Sequence, residues 1–233
     1  MDGTRGGAVF DEARLEAVRA FAYGAGHEIN NPLANIAARA QALLVDEVHP
    51  ERRRKLATIV DQAFRARDMI GGLMVFARPP VPRPAAVAVH DVVRPAVDAA
   101  RSVAESRGVR LEYSPPPTVV TVHVDAGQVG EALRALVHNA LEAVDEGGRV
   151  VVEVSSAGPV VRVAVVDDGP GMDADAVRRA FDPFYSGRDA GRGIGMGLPK
   201  ALRLVEANGG RLVVDSRPAG GTRVAVEFAA QGG

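Results

Sequence analysis

The sequence predicts an α+β protein in two parts: an antiparallel helical hairpin that pairs with a second copy into a four-helix bundle, then an α/β sandwich built on a mixed sheet. Three observations predict it. Two heptad-like apolar seams flank a connection, DEVHPER, too short to join anything but antiparallel helices. A proline-rich stretch, RPPVPRPAAVAV, ends the second of these helices. Beyond it, Val-rich segments with strand character alternate with amphipathic helical ones, an order that suits a sheet with helices on one face.

The first seam runs Leu15, Val18, Ala22, Ala25, Ile29, Leu33, Ile36, Ala40 and Leu43, and the second runs Leu56, Ile59, Ala63, Ala66, Ile70, Leu73 and Ala77. Two helices with one narrow seam each make a poor core alone, so twofold pairing through residues 11–78 is expected. The basic run ERRRK at 51–55 reads as a solvated helix face. Residues 1–10 read as a disordered tail, and 79–89 as a semi-rigid linker able to act as a hinge. In 90–230, a helical segment stops at Gly108, and VRLEY and VVTVHVD read as strands. QVGEALRALVHNALEAV is helical, and RVVVEVSS and VVRVAVVDD form a hairpin around AGP. A glycine-rich region follows, then a helix near 197–208 and the strands GRLVVDS and TRVAVEF.

Composition narrows the classes. The 233 residues are 47% hydrophobic but only 4% aromatic, with no tryptophan, so the cores must be built from Val, Leu, Ile and Ala. A net charge of −1 supplies no whole-chain field for nucleic acid or an anionic membrane, so neither is an expected partner. The absence of cysteine excludes disulfides and thiolate metal sites, and suits a cytoplasmic location. No apolar run reaches the ~18 residues of a membrane span.

The chemistry begins at HEINNP, residues 27–32, inside the first helix. His27 precedes the seam residue Ile29 by two positions and so is rotated off the buried stripe toward solvent. Asn31 follows one turn later on the same face, and Glu28 can reach one imidazole nitrogen. A carboxylate that fixes the tautomer and takes a proton makes the other nitrogen a nucleophile. Pro32 removes the N–H that would bond to the Glu28 carbonyl, so a bend is expected just past the site. A second constellation lies in the C-terminal part. VVDDGPGM ends a strand with Asp167, Gly169 and Gly171, and GRGIGMGL places Gly193, Gly195 and Gly197 before a helix. Such glycines let backbone approach a ligand and present N–H groups to an anion, and a helix N-terminus suits phosphate. The spacing fits neither a dinucleotide fingerprint nor a Walker loop. Asn139 sits on a helix whose apolar face is Ala132, Leu133, Leu136 and Ala140, and its carbonyl qualifies as a magnesium ligand.

Taken in order, these motifs resemble those of the catalytic core of bacterial sensor histidine kinases. HEINNP resembles the phosphoacceptor box, ALRALVHNALEAV the asparagine box, DDGPGM and GRGIGMGL the two glycine boxes, and FDPFYSGR the phenylalanine box. The resemblance covers nearly the whole chain. It implies a dimeric helical hairpin followed by an ATP-binding domain of the gyrase and Hsp90 kind. It further implies ATP-dependent autophosphorylation of His27 with Glu28 as base, then transfer to an aspartate of a response-regulator receiver domain. By the same resemblance Asn139 binds magnesium, Asp167 accepts the adenine amino group, and Gly169, Gly171, Gly193, Gly195 and Gly197 flank the ATP lid. Arg188 and Arg192 could stabilise phosphate charge, and Phe181, Phe184 and Tyr185 are expected to anchor the lid by packing. Asn31 matches a position that orients water for dephosphorylating the regulator. One departure stands out. Ala135 occupies the place where the family often has a second asparagine and related ATPases have a glutamate, which argues against water activation and loosens the hold on magnesium. The alternative is a nucleotide-binding scaffold or pseudokinase that only gates the helical dimer.

Overall fold

The computed structural model describes residues 12–116, 118–186 and 195–230, and the side chains of residues 12–25 and 27 lie outside that description. The expected tail at 1–10 therefore lies outside the described residues. The chain divides into two compact units at Pro79–Pro80.

The first unit is the hairpin of α1 (Glu12–Asp46) and α2 (Pro50–Ala77). Helix α1 runs without interruption through Pro32. Pro50 opens α2 at a position where a missing N–H costs nothing. The connection is held by Arg53, whose Nη1 donates to the carbonyls of Leu44 at 3.0 Å and Glu47 at 2.9 Å. Arg53 thus supplies the donor that the last turn of α1, with no basic residue of its own, lacks. The run ERRRK is exposed throughout, as expected of a solvated face, and Arg53 within it also closes the loop. Within the hairpin the small seam residues Ala40, Ala63 and Ala77 are buried with Leu73 of the seam and with Ala37, Val60 and Phe76 beside it. The larger seam residues Ile36, Leu43 and Ile59 stay 47%, 63% and 45% exposed.

The second unit comprises, in chain order, β1 (Ala85–Ala88), α3 (Val89–Asp98), α4 (Arg101–Ser106), β2 (Arg110–Tyr113), β3 (Thr121–Val124), α5 (Ala126–Ala143), β4 (Arg149–Ala157), β5 (Val160–Asp167), α6 (Ala174–Arg179), α7 (Gly197–Ala207), β6 (Arg211–Ser216) and β7 (Thr222–Ala229). The main sheet has the order β2-β4-β5-β7-β6, with β2 and β4 parallel and the rest antiparallel, and β1 pairs with β3 apart from it. The mixed sheet matches expectation. The segment read as linker, 79–89, contributes a strand, because Ala85–Ala88 follow the last proline and have free N–H groups for pairing. The single helix expected up to Gly108 is divided at Ala99–Ala100 into α3 and α4.

One sheet face is covered by helices. Val93 and Val97 of α3, Leu133, Leu136, Val137 and Leu141 of α5, and Leu204 of α7 are buried with Val150, Val152, Val161 and Val214 of the strands. Strand periodicity sends alternate residues to the other face. There, Arg149 makes a bidentate pair with Glu112 (2.9 and 2.6 Å), Arg223 pairs with Glu153 at 2.9 Å, and Arg162 with Glu227 at 2.6 Å. Arg149 holds the Glu112 carboxyl below its ordinary pKa.

Candidate active site

The phosphoacceptor motif sits on a continuous helix. The backbone of His27 is helical; its side chain, and with it the expected orientation, lies outside the described residues. Its neighbours Glu28, Asn31 and Pro32 are exposed, so this face of α1 turns away from the hairpin core. Asn30 was not singled out by sequence reasoning. Its Oδ1 is buried without a hydrogen-bond partner, an uncommon condition for a polar atom.

The nucleotide-like constellation is assembled by β5, α5, α7 and the loops between. Asp167 ends β5 and is 7% exposed. Its Oδ1 accepts the Gly169 N–H at 3.0 Å, which fixes the carboxylate at the start of the glycine turn. The turn runs close beneath α5: a Cβ on Gly169 would lie 2.8 Å from the Ala143 carbonyl oxygen. Ala143 is one turn beyond Asn139 on α5, so Asn139 shares the face that looks toward this loop. Gly171, with φ of +69°, passes the β6–β7 connection, and a Cβ there would lie 2.0 Å from the Arg217 carbonyl oxygen. Ala219 donates to the Pro170 carbonyl at 2.7 Å, and Met172 donates its N–H to Ser216 Oγ at 2.9 Å. Gly171 is therefore required first by backbone packing.

The second glycine pair is required in the same way. Gly195 has φ of +68°, and a Cβ there would meet the Tyr185 carbonyl oxygen at 2.5 Å. The Phe184 N–H donates to the Gly195 carbonyl at 3.0 Å, so the two stalks of the intervening segment are tied together. Arg188, Arg192 and Gly193 belong to that segment and lie outside the described residues. Gly197 begins α7, and a Cβ there would lie 2.5 Å from Asn139 Oδ1. The Asn139 amide is thus held against a helix N-terminus, the place where an anion and its bridging cation are favoured. The three aromatics divide. Phe181 is buried, and Tyr185 lies under the Arg179 guanidinium at 4.2 Å from its ring centroid. Phe184 is 50% exposed with φ of +65°, so it does not anchor by packing as expected.

Two residues escaped the sequence reading. Strand register sets Thr222 directly across from Asp167. Ser216, buried beside it, donates to the Gly221 carbonyl at 2.9 Å and shares a hydrogen bond with Thr222 Oγ1. Thr222 is placed to offer a hydroxyl next to the Asp167 carboxylate; the GGT turn before β7 was the available signal. Ala135, one turn before Asn139, is half-buried and brings no oxygen to the site.

The arrangement fits a purine nucleotide with phosphates. A buried carboxylate is an acceptor suited to an exocyclic amine, and the Asn139 carbonyl at the head of α7 suits a divalent cation that accompanies phosphates.

The comparisons agree with this geometry. Residues 17–80 match the family model "His Kinase A (phospho-acceptor) domain", and residues 124–232 match "Histidine kinase-, DNA gyrase B-, and HSP90-like ATPase". The chain is 27% identical to sensor histidine kinase ZraS of Klebsiella oxytoca over 89% of its own length and 45% of the relative's. It is 29% identical to sensor protein FixL of Bradyrhizobium diazoefficiens over 90% of its length and 43% of the relative's. It spans less than half the length of these curated relatives. Among solved structures, full-length ShkA in complex with AMPPNP shares the fold at a TM-score of 0.77 and 23% identity, covering 92% of this chain and 47% of that one. Histidine kinase ThkA in complex with response regulator TrrA does so at a TM-score of 0.69 and 19% identity, covering 94% of this chain and 64% of that one. With both halves of the core matched in order, the chain belongs to the sensor histidine kinases, and the part of them that it carries is the catalytic core.

Proposed function

We propose that this chain is an ATP-dependent protein-histidine kinase of a two-component system. The observation that carries the reading is the presence, in one chain, of two separate devices: an exposed Glu28–Asn31 face around a helical histidine, and a glycine-lined site with a buried acceptor carboxylate. Neither device alone transfers a phosphoryl group.

In the proposed reaction the free ring nitrogen of His27 attacks the γ-phosphorus, an N–P bond forms, and the bond to the β,γ-bridging oxygen breaks, releasing ADP. Glu28 takes the proton from the other ring nitrogen and holds the imidazole in one tautomer. Asp167 selects adenine by accepting its amino group, with Thr222 beside it. Asn139 would hold a magnesium ion, which when bound would neutralise phosphate charge. Gly169, Gly171, Gly193, Gly195 and Gly197 frame the nucleotide, and Arg188 and Arg192 stabilise phosphate charge. Ala135 supplies no group to activate water, which favours transfer to protein over hydrolysis.

The phosphoryl group then passes to an aspartate of a response-regulator receiver domain, a partner supported by the ThkA complex with its regulator. Asn31 orients a water that hydrolyses the regulator's acyl phosphate, releasing inorganic phosphate and the free aspartate. The hairpin works as a homodimer, which is supported by the exposure of Ile36, Leu43 and Ile59 in a single copy. Among the described residues no helix is long and apolar enough to cross a membrane. A cytoplasmic location belongs to this proposal as well.

The test is incubation with γ-labelled ATP. A kinase takes acid-labile, base-stable label on the protein, a scaffold takes none, and an ATPase releases free phosphate alone.

A further inference from the structure

The proline-rich segment after α2 is not free along its length. The Gln128 side chain is 8% exposed, and its Nε2 donates to the Pro80 carbonyl at 3.0 Å. Its Oε1 accepts from Asn208 Nδ2 at 2.9 Å. Asn208 Nδ2 also donates to the Leu204 carbonyl, and its Oδ1 accepts the Asp125 N–H at 2.7 Å. Asp125 closes the ring: Oδ1 accepts the Gln128 N–H at 3.1 Å, and Oδ2 accepts the Arg83 N–H at 2.9 Å. Three side chains thus fasten Pro80 and Arg83 to the N-terminus of α5 and the C-terminus of α7. From Ala85 onward β1 is paired with β3, so 80–88 is attached throughout.

Helix α2 ends at Ala77, and the Arg78 N–H still donates to the Met74 carbonyl. Only Arg78 and Pro79 remain between the last helical residue and the first clamped one. A hinge spread over 79–89, as the prolines suggested, is thereby shortened to these two residues. The clamp also stands at the far end of the helix whose first residue, Gly197, packs against Asn139. One rigid element therefore touches both the nucleotide site and the tether.

We infer that Gln128, with Asn208 and Asp125, is a positioning residue for phosphoryl transfer to His27: it fixes where the tether of the catalytic unit begins. The inference rests on the kinase reading. Without the clamp the tether lengthens from residues 78–79 to residues 78–84. For a flexible tether the effective concentration of the linked partner falls as about the −3/2 power of length, a loss of roughly six- to sevenfold.

The experiment compares the wild-type chain, Gln128→Met, and a variant with five glycine and serine residues inserted between Pro79 and Pro80. Gln128→Met keeps side-chain length but removes the donor and the acceptor. The insertion leaves the clamp intact and lengthens the tether directly, so it decides the matter if Gln128→Met fails to fold. The insertion is expected to lower the labelling rate at saturating ATP by roughly six- to sevenfold, and Gln128→Met, which frees Pro80 but leaves Arg83 on Asp125, by roughly fourfold. The KM for ATP should stay unchanged, which a merely structural defect in the nucleotide domain would not allow. Amide exchange at Arg83 should be slow in wild type and in both variants, because its acceptor, Asp125, is retained in all three. An unchanged rate in the insertion variant, or fast Arg83 exchange in wild type, would overturn the inference. No label on wild type with Arg83 still protected would instead overturn the kinase reading, and the positioning role with it.

Discussion

In the hairpin, Ile36, Leu43 and Ile59 remain about half exposed, whereas in the catalytic unit Leu133, Leu136, Leu141 and Leu204 are 2% exposed or less. Both units draw on the same aliphatic residues. The difference is geometric. Two antiparallel helices touch along one line, which small residues such as Ala37, Ala40 and Ala63 fill, and the larger seam residues are left on the flanks. A sheet with three long helices on one face encloses its side chains within a single copy. In the proposed homodimer the hairpin's seam is the surface for a second copy, whereas the catalytic unit's core is complete. Stability of one should depend on protein concentration, and stability of the other should not.

The largest effect is expected where the second copy matters. Ile36→Asp removes an apolar side chain from both members of a pair, and at about 1.5–3 kcal/mol each the dimer should lose roughly 3–6 kcal/mol. Sedimentation of the full chain should show a dimer for wild type and a folded monomer for the variant. A monomeric wild type would break the comparison. Leu133→Ala in the catalytic unit should cost about 2–5 kcal/mol of unfolding free energy, equal at low and high protein concentration. A concentration-dependent loss would mean that this core also relies on a partner.

A smaller effect distinguishes site from scaffold. Asp167→Asn should weaken ATP binding by about 1.5–3 kcal/mol, the usual worth of a hydrogen bond to a charged group. GTP binding should weaken less, because guanine lacks an amino group at that edge. Equal losses in titrations with the two nucleotides would leave Asp167 as the group that fixes the Gly169 turn.

The smallest concerns pH. The N–H groups of Arg83, then Gln128, hold the Asp125 carboxyl below its ordinary 3.8. A carboxyl with a depressed folded pKa stabilises the fold above its unfolded pKa and loses that contribution as pH falls through the folded value. Melting of wild type and Asp125→Asn should differ at pH 6 and converge below pH 3.8. A gap independent of pH would mean that the amide performs the same task as the carboxylate.

The two units also differ in how much of them the sequence discloses. The hairpin is legible because one periodicity governs all of it. In the catalytic unit each Val-rich strand and α5 can be read locally, but the order β2-β4-β5-β7-β6 cannot, since no turn residue encodes neighbours distant in sequence. Strand β1 hides behind four prolines that signal a linker, and α6 has six residues, too few for a period. The break at Ala99–Ala100 carries no breaker residue. At the site, Asp167, Asn139 and the glycines announce themselves by spacing, although Gly171 and Gly197 turn out to be needed by Arg217 and Asn139 before any ligand is considered. Thr222 and Ser216 are hard to find beyond the GGT turn, because register, not sequence proximity, sets Thr222 across from Asp167 and Ser216 across from Thr222. Gln128 and Asn208 read as ordinary helix-end polar residues until the fold joins them to Pro80.

The most direct test of the account is the labelling experiment on His27→Gln beside wild type, with nucleotide affinity measured in parallel. Wild type should take acid-labile, base-stable label from γ-labelled ATP. The variant should take none while binding nucleotide with unchanged affinity, because the substitution lies in the hairpin and the nucleotide site in the other unit. Acid-labile label retained on His27→Gln would contradict the account.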